Sequence, residues 1–336
     1  IADVAHYVKP GAVLDVEVEK RSTSVYLPSF VVPMLPEALS NELCSLKPNV
    51  HRLALVCDMQ VSVKGLVREF KFYNGLIRSH GRLTYNQVQA HLDNGEALPC
   101  KKADSTQVEA SVAALHNVFK AFSEAKDVRG GLDFDSREGV IEIVDGHVSG
   151  VSAVARLTAH RIIEEAMINA NVCAAVLLED AASRSLYRVH DKPDALKLDD
   201  LRQDLMSIGL SIPDSVPSSK TYQSLLREIA DKDQGWLYQQ LVLRSMKQAV
   251  YTPENAGHFG LGLERYMHFT SPIRRYPDLL VHRAIKSVLA GQSTRARWVP
   301  SAEQLINLGE QCSSKERRAE SAGWAVESWL KCDLLR

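Results

Sequence analysis

Strand-like alternation crowds the first part of this chain and helical spacing fills the rest, and this division constrains the fold more than any other feature. Residues 1–8 and 23–32 alternate as strands do, around a charged helical stretch. The Pro-rich run PMLPEAL at 33–39 reads as a turn leading into a short helix. Long strands over 50–62 and 66–79 are joined at Val63-Lys64-Gly65. Thr84 caps a short helix that ends near Gly95, and Ser105 caps a longer one stopped by Gly130-Gly131. Residues 138–155 resemble a hairpin about Asp145-Gly146. Helical spacing then covers 157–178, 194–208, 221–231, 235–250, 272–290 and 302–332, with 211–220 as the clearest loop. Ser301 with Gln304 three residues on is a capping-box pattern. Strands first and helices later predict an α+β fold, with helices packed on an antiparallel sheet. No boundary or repeat interrupts it, so 1–336 reads as one domain.

Composition narrows the function classes. Net charge is −1, so any nucleic-acid contact has to come from a local basic surface. No apolar run reaches the length of a membrane span, and no signal peptide is visible. The cysteines at 44, 57, 100, 173, 312 and 332 form no C-x-x-C pair, so nothing indicates zinc. Cys57 and Cys173 lie in apolar periodic segments and read as buried thiols, which fits a reduced, cytoplasmic compartment. No G-x-S-x-G elbow supports a serine hydrolase.

The run His268-Phe269-Thr270-Ser271-Pro272-Ile273-Arg274-Arg275-Tyr276-Pro277-Asp278 is dense in groups suited to anions. Ser271 as N-cap and Pro272 as first residue would open a helix carrying Leu279, Leu280, Ala284, Ile285 and Val288 inward. Arg274 and Arg275 would then sit in the first turn, against the helix dipole, where a bound phosphate would offset the conflict. An ordinary capped helix with solvated arginines is the competing reading. Arg275 points away from Arg274 and is placed to pair with Asp278.

Within 157–178, His160, Glu164, Met167 and Asn171 share one face beside small apolar residues. Glu164 and Asn171 are therefore expected near the buried side, where polar groups need partners, while Glu165 pairs with Arg161 in solvent. A satisfied buried network without a ligand is the competing reading. Tyr26, Tyr85 and Phe134 are lone aromatics, which are usually core. His190, His258 and His268, the last two flanking a GLGLERY strand, show no metal-ligand spacing. The basic run Lys315, Arg317 and Arg318 and the pair Asp199-Asp200 read as solvated.

HFTSPIRRYPDLLVHRAIK (268–286) resembles the signature of the RNB-domain exoribonucleases, the ribonuclease R type more than the ribonuclease II type. ADVAHYVKPG (2–11), TSVYLPSFVVPMLPEALSNELCSL (23–46), FKFYNGLIRSHGRLTYNQV (70–88), RIIEEAMINANVCAA (161–175), HDKPD (190–194), LRSMKQAVYTPENAGHFGLGLERY (243–266) and ERRAESAGWAVESWLKCD (316–333) follow in family order. The resemblance implies an α+β RNB-type domain around an RNA channel. It implies 3′-to-5′ hydrolysis of single-stranded RNA to nucleoside 5′-monophosphates, assisted by magnesium (Mg2+). Protein partners would be RNA-decay or ribosome-associated proteins. On this resemblance Arg274 holds the scissile phosphate, Tyr26 and Phe134 clamp stacked bases, and Tyr85 is a further channel aromatic. Glu164 and Asn171 line the channel, bonding ribose hydroxyls or fixing a phosphate-binding arginine.

One element of the family pattern is missing. The catalytic cluster of that family has an Asp-x-Asp-Asp core, and no such run occurs in 1–336; Asp3 and Asp15 do not match it. The chain starts at Ile1 inside a strand pattern and ends at Arg336 inside a helical one. Both are expected to be cuts within a larger protein, with the Mg2+ ligands upstream and the flanking OB-type barrels beyond the ends. This fragment alone would then be inactive. The competing class is a non-catalytic RNA-binding protein on the same fold.

Overall fold

The computed structural model describes residues 1–134, 138–144, 147–154, 156–213, 217–291 and 299–334. Ile1 and Ala2 lie antiparallel to Ala54 and Leu55, with the Leu55 N–H on the Ile1 carbonyl at 2.9 Å. The expected strand over 1–8 stops there. Asp3 accepts the His6 N–H at 3.1 Å and caps a helical turn, α1 (Val4–Tyr7). Asp is a strong N-cap residue, and the cap overrides the alternation. The charged stretch forms α2 (Val13–Arg21), and 23–32 folds as the hairpin β1 (Val25–Leu27) and β2 (Phe30–Val32).

A single helical turn at Ala38–Leu43 precedes the long hairpin β3 (His51–Val61) and β4 (Val67–Arg78). Gly65 in its turn has φ +69°, and a Cβ there would meet the Ala121 carbonyl oxygen at 2.0 Å. Thr84 and Gln87 form a reciprocal capping box on α3 (Tyr85–Asn94), which Gly95 closes in the left-handed conformation. α4 (Ser105–Arg129) starts after Asp104, not Ser105, and Gly130 ends it at φ +85°. β5 (Glu138–Val144) and β6 (His147–Val154) make the expected hairpin, whose Asp145-Gly146 turn lies outside the described residues.

α5 (Thr158–Asp180) is followed by β7 (Tyr187–Val189), α6 (Ala195–Met206), α7 (Ser219–Ala230) and α8 (Gly235–Ser245). The expected loop over 211–220 ends in Ser218, which caps α7; its residues 214–216 lie outside the described ones. The helix expected over 235–250 stops at Ser245, and Val250 instead begins β8 (Val250–Thr252), antiparallel to β7. GLGLERY forms a tight turn at Phe259–Leu261 and extended chain, not a strand. α9 (Tyr276–Leu289) and α10 (Ala302–Leu334) complete the order. The Ser301–Gln304 capping box is present, with the Gln304 N–H on Ser301 Oγ at 3.2 Å.

The α+β class holds. Among the described residues, though, the strands pair as four separate two-stranded ladders rather than one sheet. Helix α9 takes the central place instead. It is buried all round from Tyr276 to Ile285, as a helix enclosed by neighbours must be. One side of it packs with α1, α10 and Met34-Leu35, and the other with β3, β4 and α5. A separate core of leucines joins α6, α7 and α8. The segment leading into α9 is therefore mounted on a helix enclosed by its neighbours.

Candidate functional site

The helix expected from Pro272 begins at Tyr276. A start at Pro272 would put Pro277 inside the helix, its ring against the Ile273 carbonyl. Starting at Tyr276 instead leaves Pro277 in the first turn, where its missing N–H costs nothing. Ser271–Arg274 is a tight turn, with the Arg274 and Arg275 N–H groups each 3.1 Å from the Ser271 carbonyl. Ser271 does not cap through its hydroxyl. Its N–H donates to Asp278 Oδ1 at 2.6 Å. Both arginines precede the helix, so Arg274 does not oppose its dipole from the first turn as expected.

The arginines have different fates. Arg275 forks onto Asp278, Nε to Oδ2 at 2.8 Å and Nη2 to Oδ1 at 2.9 Å, and Asp278 is fully buried. Burial disfavours the charged guanidinium, but the Asp278 carboxylate outweighs that and raises its pKa. The Arg274 side chain is exposed and meets no carboxylate among the described residues. Its carbonyl is held by the Ser24 N–H at 3.0 Å and the Thr23 hydroxyl at 3.3 Å. Tyr276 N–H adds a bond to the Ser22 carbonyl at 2.8 Å. This seam runs directly into β1, which places Tyr26 two residues, or about 7 Å of extended chain, past Ser24. Tyr26 is 54% exposed and is not a core residue.

Asn171 supports the same segment from below. It is buried, donates to the Tyr266 hydroxyl at 2.9 Å, and accepts the Phe269 N–H at 2.8 Å. His282 Nε2–H donates to the Phe269 carbonyl at 2.8 Å, and burial lowers its pKa to about 4. His268 is pushed far down by burial and by Arg275, so its ring is neutral. Arginine can only donate, so Nε2 of His268 accepts from Arg275 at 3.4 Å and Nδ1–H faces the Tyr251 hydroxyl at 2.8 Å. His190 and His258 likewise bond backbone groups, His190 accepting the Gly260 N–H at 2.9 Å. The histidines are structural parts of this layer.

A second group gathers at the start of α5. The expected phasing of this helix is corrected by one residue. The buried row runs through Ala159, Ile162, Glu165, Ile168 and Asn171, and Ile163 is 40% exposed. Glu165 is the buried carboxylate, with Lys126 at 3.5 Å and Arg129 at 3.8 Å supplied by α4. Burial raises its pKa and those cations partly offset the rise. Arg161 pairs not with Glu165 but with Asp133, at 3.3 Å. Glu164 lies half-exposed and bonds Arg156, whose other nitrogen holds Asp133 at 2.6 Å. Phe134 is half-buried against the leucine core, at a cavity of about 320 Å³ lined by Asp133, Arg156, Arg161, Gln223 and Arg227. Tyr85 is 45% exposed and stacks on His160 with ring centroids 3.9 Å apart.

The structure thus divides the candidate residues. Arg274, Tyr26 and Asn171 share one connected layer, and Phe134, Tyr85 and Glu164 gather at the start of α5. Asn171 and Glu164 lie about 10 Å apart along that helix. Among the described residues, no three of His, Cys, Asp and Glu come together to hold a metal. The acids near the site are committed elsewhere: Asp15 to Arg283 at 2.6 Å, Asp3 to Lys286, and Asp278 to Arg275. Sequence reasoning missed Asp278 as a clamp on the turn, and Thr23 and Ser24 as the seam. The i, i+3 spacing to Arg275 was the one available signal.

The RNB domain profile matches residues 1–291. Ribonuclease R of Vibrio parahaemolyticus is 45% identical over 346 residues, covering 100% of this chain and 41% of that protein. Ribonuclease R of Escherichia coli K12 is 45% identical over 344 residues, covering 100% of this chain and 42% of that protein. The structure of Mycoplasma genitalium RNase R in complex with ribose methylated single-stranded RNA superposes with TM-score 0.91 at 30% identity, covering 100% of this chain and 52% of that one. The chain spans about two fifths of the length of these curated relatives.

Proposed function

The chain belongs to the RNB-domain family, and from that premise we propose that it is the RNA-handling part of a 3′-to-5′ hydrolytic exoribonuclease of the ribonuclease R type. The substrate is single-stranded RNA and the products are nucleoside 5′-monophosphates. The observation that carries this is the 45% identity to ribonuclease R over the whole length of the chain. Arg274 is the candidate ligand of the scissile phosphate, being a planar cation with no carboxylate to satisfy it among the described residues. Tyr26 and Phe134 are read as base platforms; stacking suits an enzyme that accepts every base. Tyr85 extends that path. Both side-chain ends of Asn171 are engaged, so it fixes the segment carrying Arg274 rather than reaching a ribose. Glu164, half-exposed, remains the candidate for ribose hydroxyls.

Asp3, Asp15, Asp278 and Glu165 do not fit a magnesium site, since each already holds a cation. Magnesium ligands are assigned outside residues 1–336, and residues 1–336 are read as one domain that needs them to cut. Among the described residues, no helix is long and apolar enough to cross a membrane. A cytoplasmic location, with RNA-decay or ribosome-associated partners, belongs to the same proposal.

The test is the complete protein with a 5′-labelled single-stranded oligoribonucleotide and magnesium. Stepwise shortening from the 3′ end, stopped by EDTA, is expected, and residues 1–336 alone should leave the RNA intact. Tight binding without shortening by the complete protein would favour the non-catalytic RNA-binding alternative. Mononucleotide release by the isolated chain would show that the carboxylates are here after all.

A further inference from the structure

We propose that Asp278 is the positioning residue for Arg274: one carboxylate grips both ends of the Ser271–Arg275 turn and so aims the Arg274 guanidinium outward. This rests on the reading of Arg274 as the phosphate ligand. Asp278 lies in the first turn of α9, the helix enclosed on all sides, and has no exposed surface. Oδ1 accepts from the Ser271 N–H at 2.6 Å and from Arg275 Nη2 at 2.9 Å, while Oδ2 accepts Arg275 Nε at 2.8 Å. A simple ion pair would engage Arg275 alone. Here the same oxygen also takes a backbone N–H at the far end of the turn, so the loop is closed against a rigid support.

The outer edge is fixed independently. Ser22, Thr23 and Ser24 bond the backbone of Arg274 and Tyr276 at 2.8 to 3.3 Å. Nε2 of the His268 ring accepts from Arg275 Nη1 at 3.4 Å. Between these two anchors both backbone groups of Arg274 are hydrogen-bonded, and its exposed side chain is left to meet a ligand. Asp278 touches no substrate in this arrangement. It acts through Arg274, by holding a phosphate ligand where the transition state requires it.

The experiment is a double-mutant cycle in the complete protein, read by single-turnover cleavage, RNA affinity and thermal melting. Asp278→Asn keeps the shape and one acceptor for Ser271 but removes the charge that holds the Arg275 fork. Its cleavage rate should fall on the order of a hundredfold, with a much smaller change in RNA affinity. Added to Arg274→Ala, the same change should cost nothing further, because the group it positions is gone. Arg275→Lys, which keeps the charge beside Asp278 and loses the fork, is read in parallel, so that the proposal does not depend on one variant folding. It should also slow cleavage, and also be silent over Arg274→Ala. Losses that multiply with that of Arg274→Ala, or normal rates in either single variant at an unchanged melting temperature, overturn the proposal. A normal rate for Arg274→Ala itself would overturn the reading of Arg274 as phosphate ligand, and the positioning role with it.

Discussion

At the start of α5, Arg156 and Arg161 end on Asp133 and Glu164, and Lys126 and Arg129 end on Glu165. In the turn before α9, Arg275 ends on Asp278 and Arg274 ends on no carboxylate among the described residues. Both regions are rich in arginine, yet only one leaves a guanidinium unspent. A paired arginine has its charge offset by its carboxylate and meets a phosphate only with the N–H donors it has left. An unpaired one on a rigid mount offers its whole fork. The arginines of the first region are therefore suited to hold elements together around Phe134, and Arg274 in the second to hold a phosphate.

The largest effect should come from the buried pair. Arg275→Ala would strand the Asp278 carboxylate in the core and should lower unfolding free energy by about 3–5 kcal/mol, measured by chemical denaturation. A loss under about 1 kcal/mol would mean that the pair is solvated and that the contrast between the two arginines is false. Next comes Arg274→Ala, expected to lose about 3–4 kcal/mol of transition-state stabilisation in single-turnover cleavage while unfolding is unchanged. Arg274→Lys should be impaired as well, since it keeps the charge and loses the fork. Full activity in both would reduce Arg274 to a solvated side chain and erase the comparison.

Smaller effects sharpen it. Tyr26→Ala and Phe134→Ala should each weaken RNA binding by about 1–3 kcal/mol, alike for different base sequences, and change the length of the end product. Phe134→Ala should also reduce stability, because Phe134 leans on the leucine core, whereas Tyr26 is open to solvent. Unchanged affinity in both, with only stability lost, would assign them to packing. The smallest change is expected for Glu164→Gln, whose half-exposed pair with Arg156 should contribute under about 1 kcal/mol to folding. A loss of RNA over DNA preference in that variant would support a ribose contact; no change in preference would leave Glu164 with the ion pair alone.

Much of the fold was legible in short segments. The Thr84–Gln87 and Ser301–Gln304 capping boxes, the Gly65 turn and the Gly130 stop each use residues that meet within one turn of chain, and all stand where the sequence puts them. The Arg275–Asp278 pair is of the same kind, three residues apart. Pro277 carried a further local signal, the start of α9 at Tyr276, that a reading centred on Pro272 overrode. The family was legible for another reason: motifs in fixed order along the whole chain specify more than any single pattern.

What only the tertiary structure decided is which polar groups are buried and with whom. Glu165 rather than Glu164 faces inward because Lys126 and Arg129 arrive from α4, and nothing within α5 announces them. Ser24 meets the carbonyl of Arg274, a residue 250 positions later in the sequence, and Asp15 meets Arg283 across 268. β7 finds β8 across α6, α7 and α8. Local periodicity records how a segment prefers to coil and which side prefers to be dry. It does not record a counter-charge supplied by a distant element, and burial of a charge is favourable or ruinous depending on that partner alone.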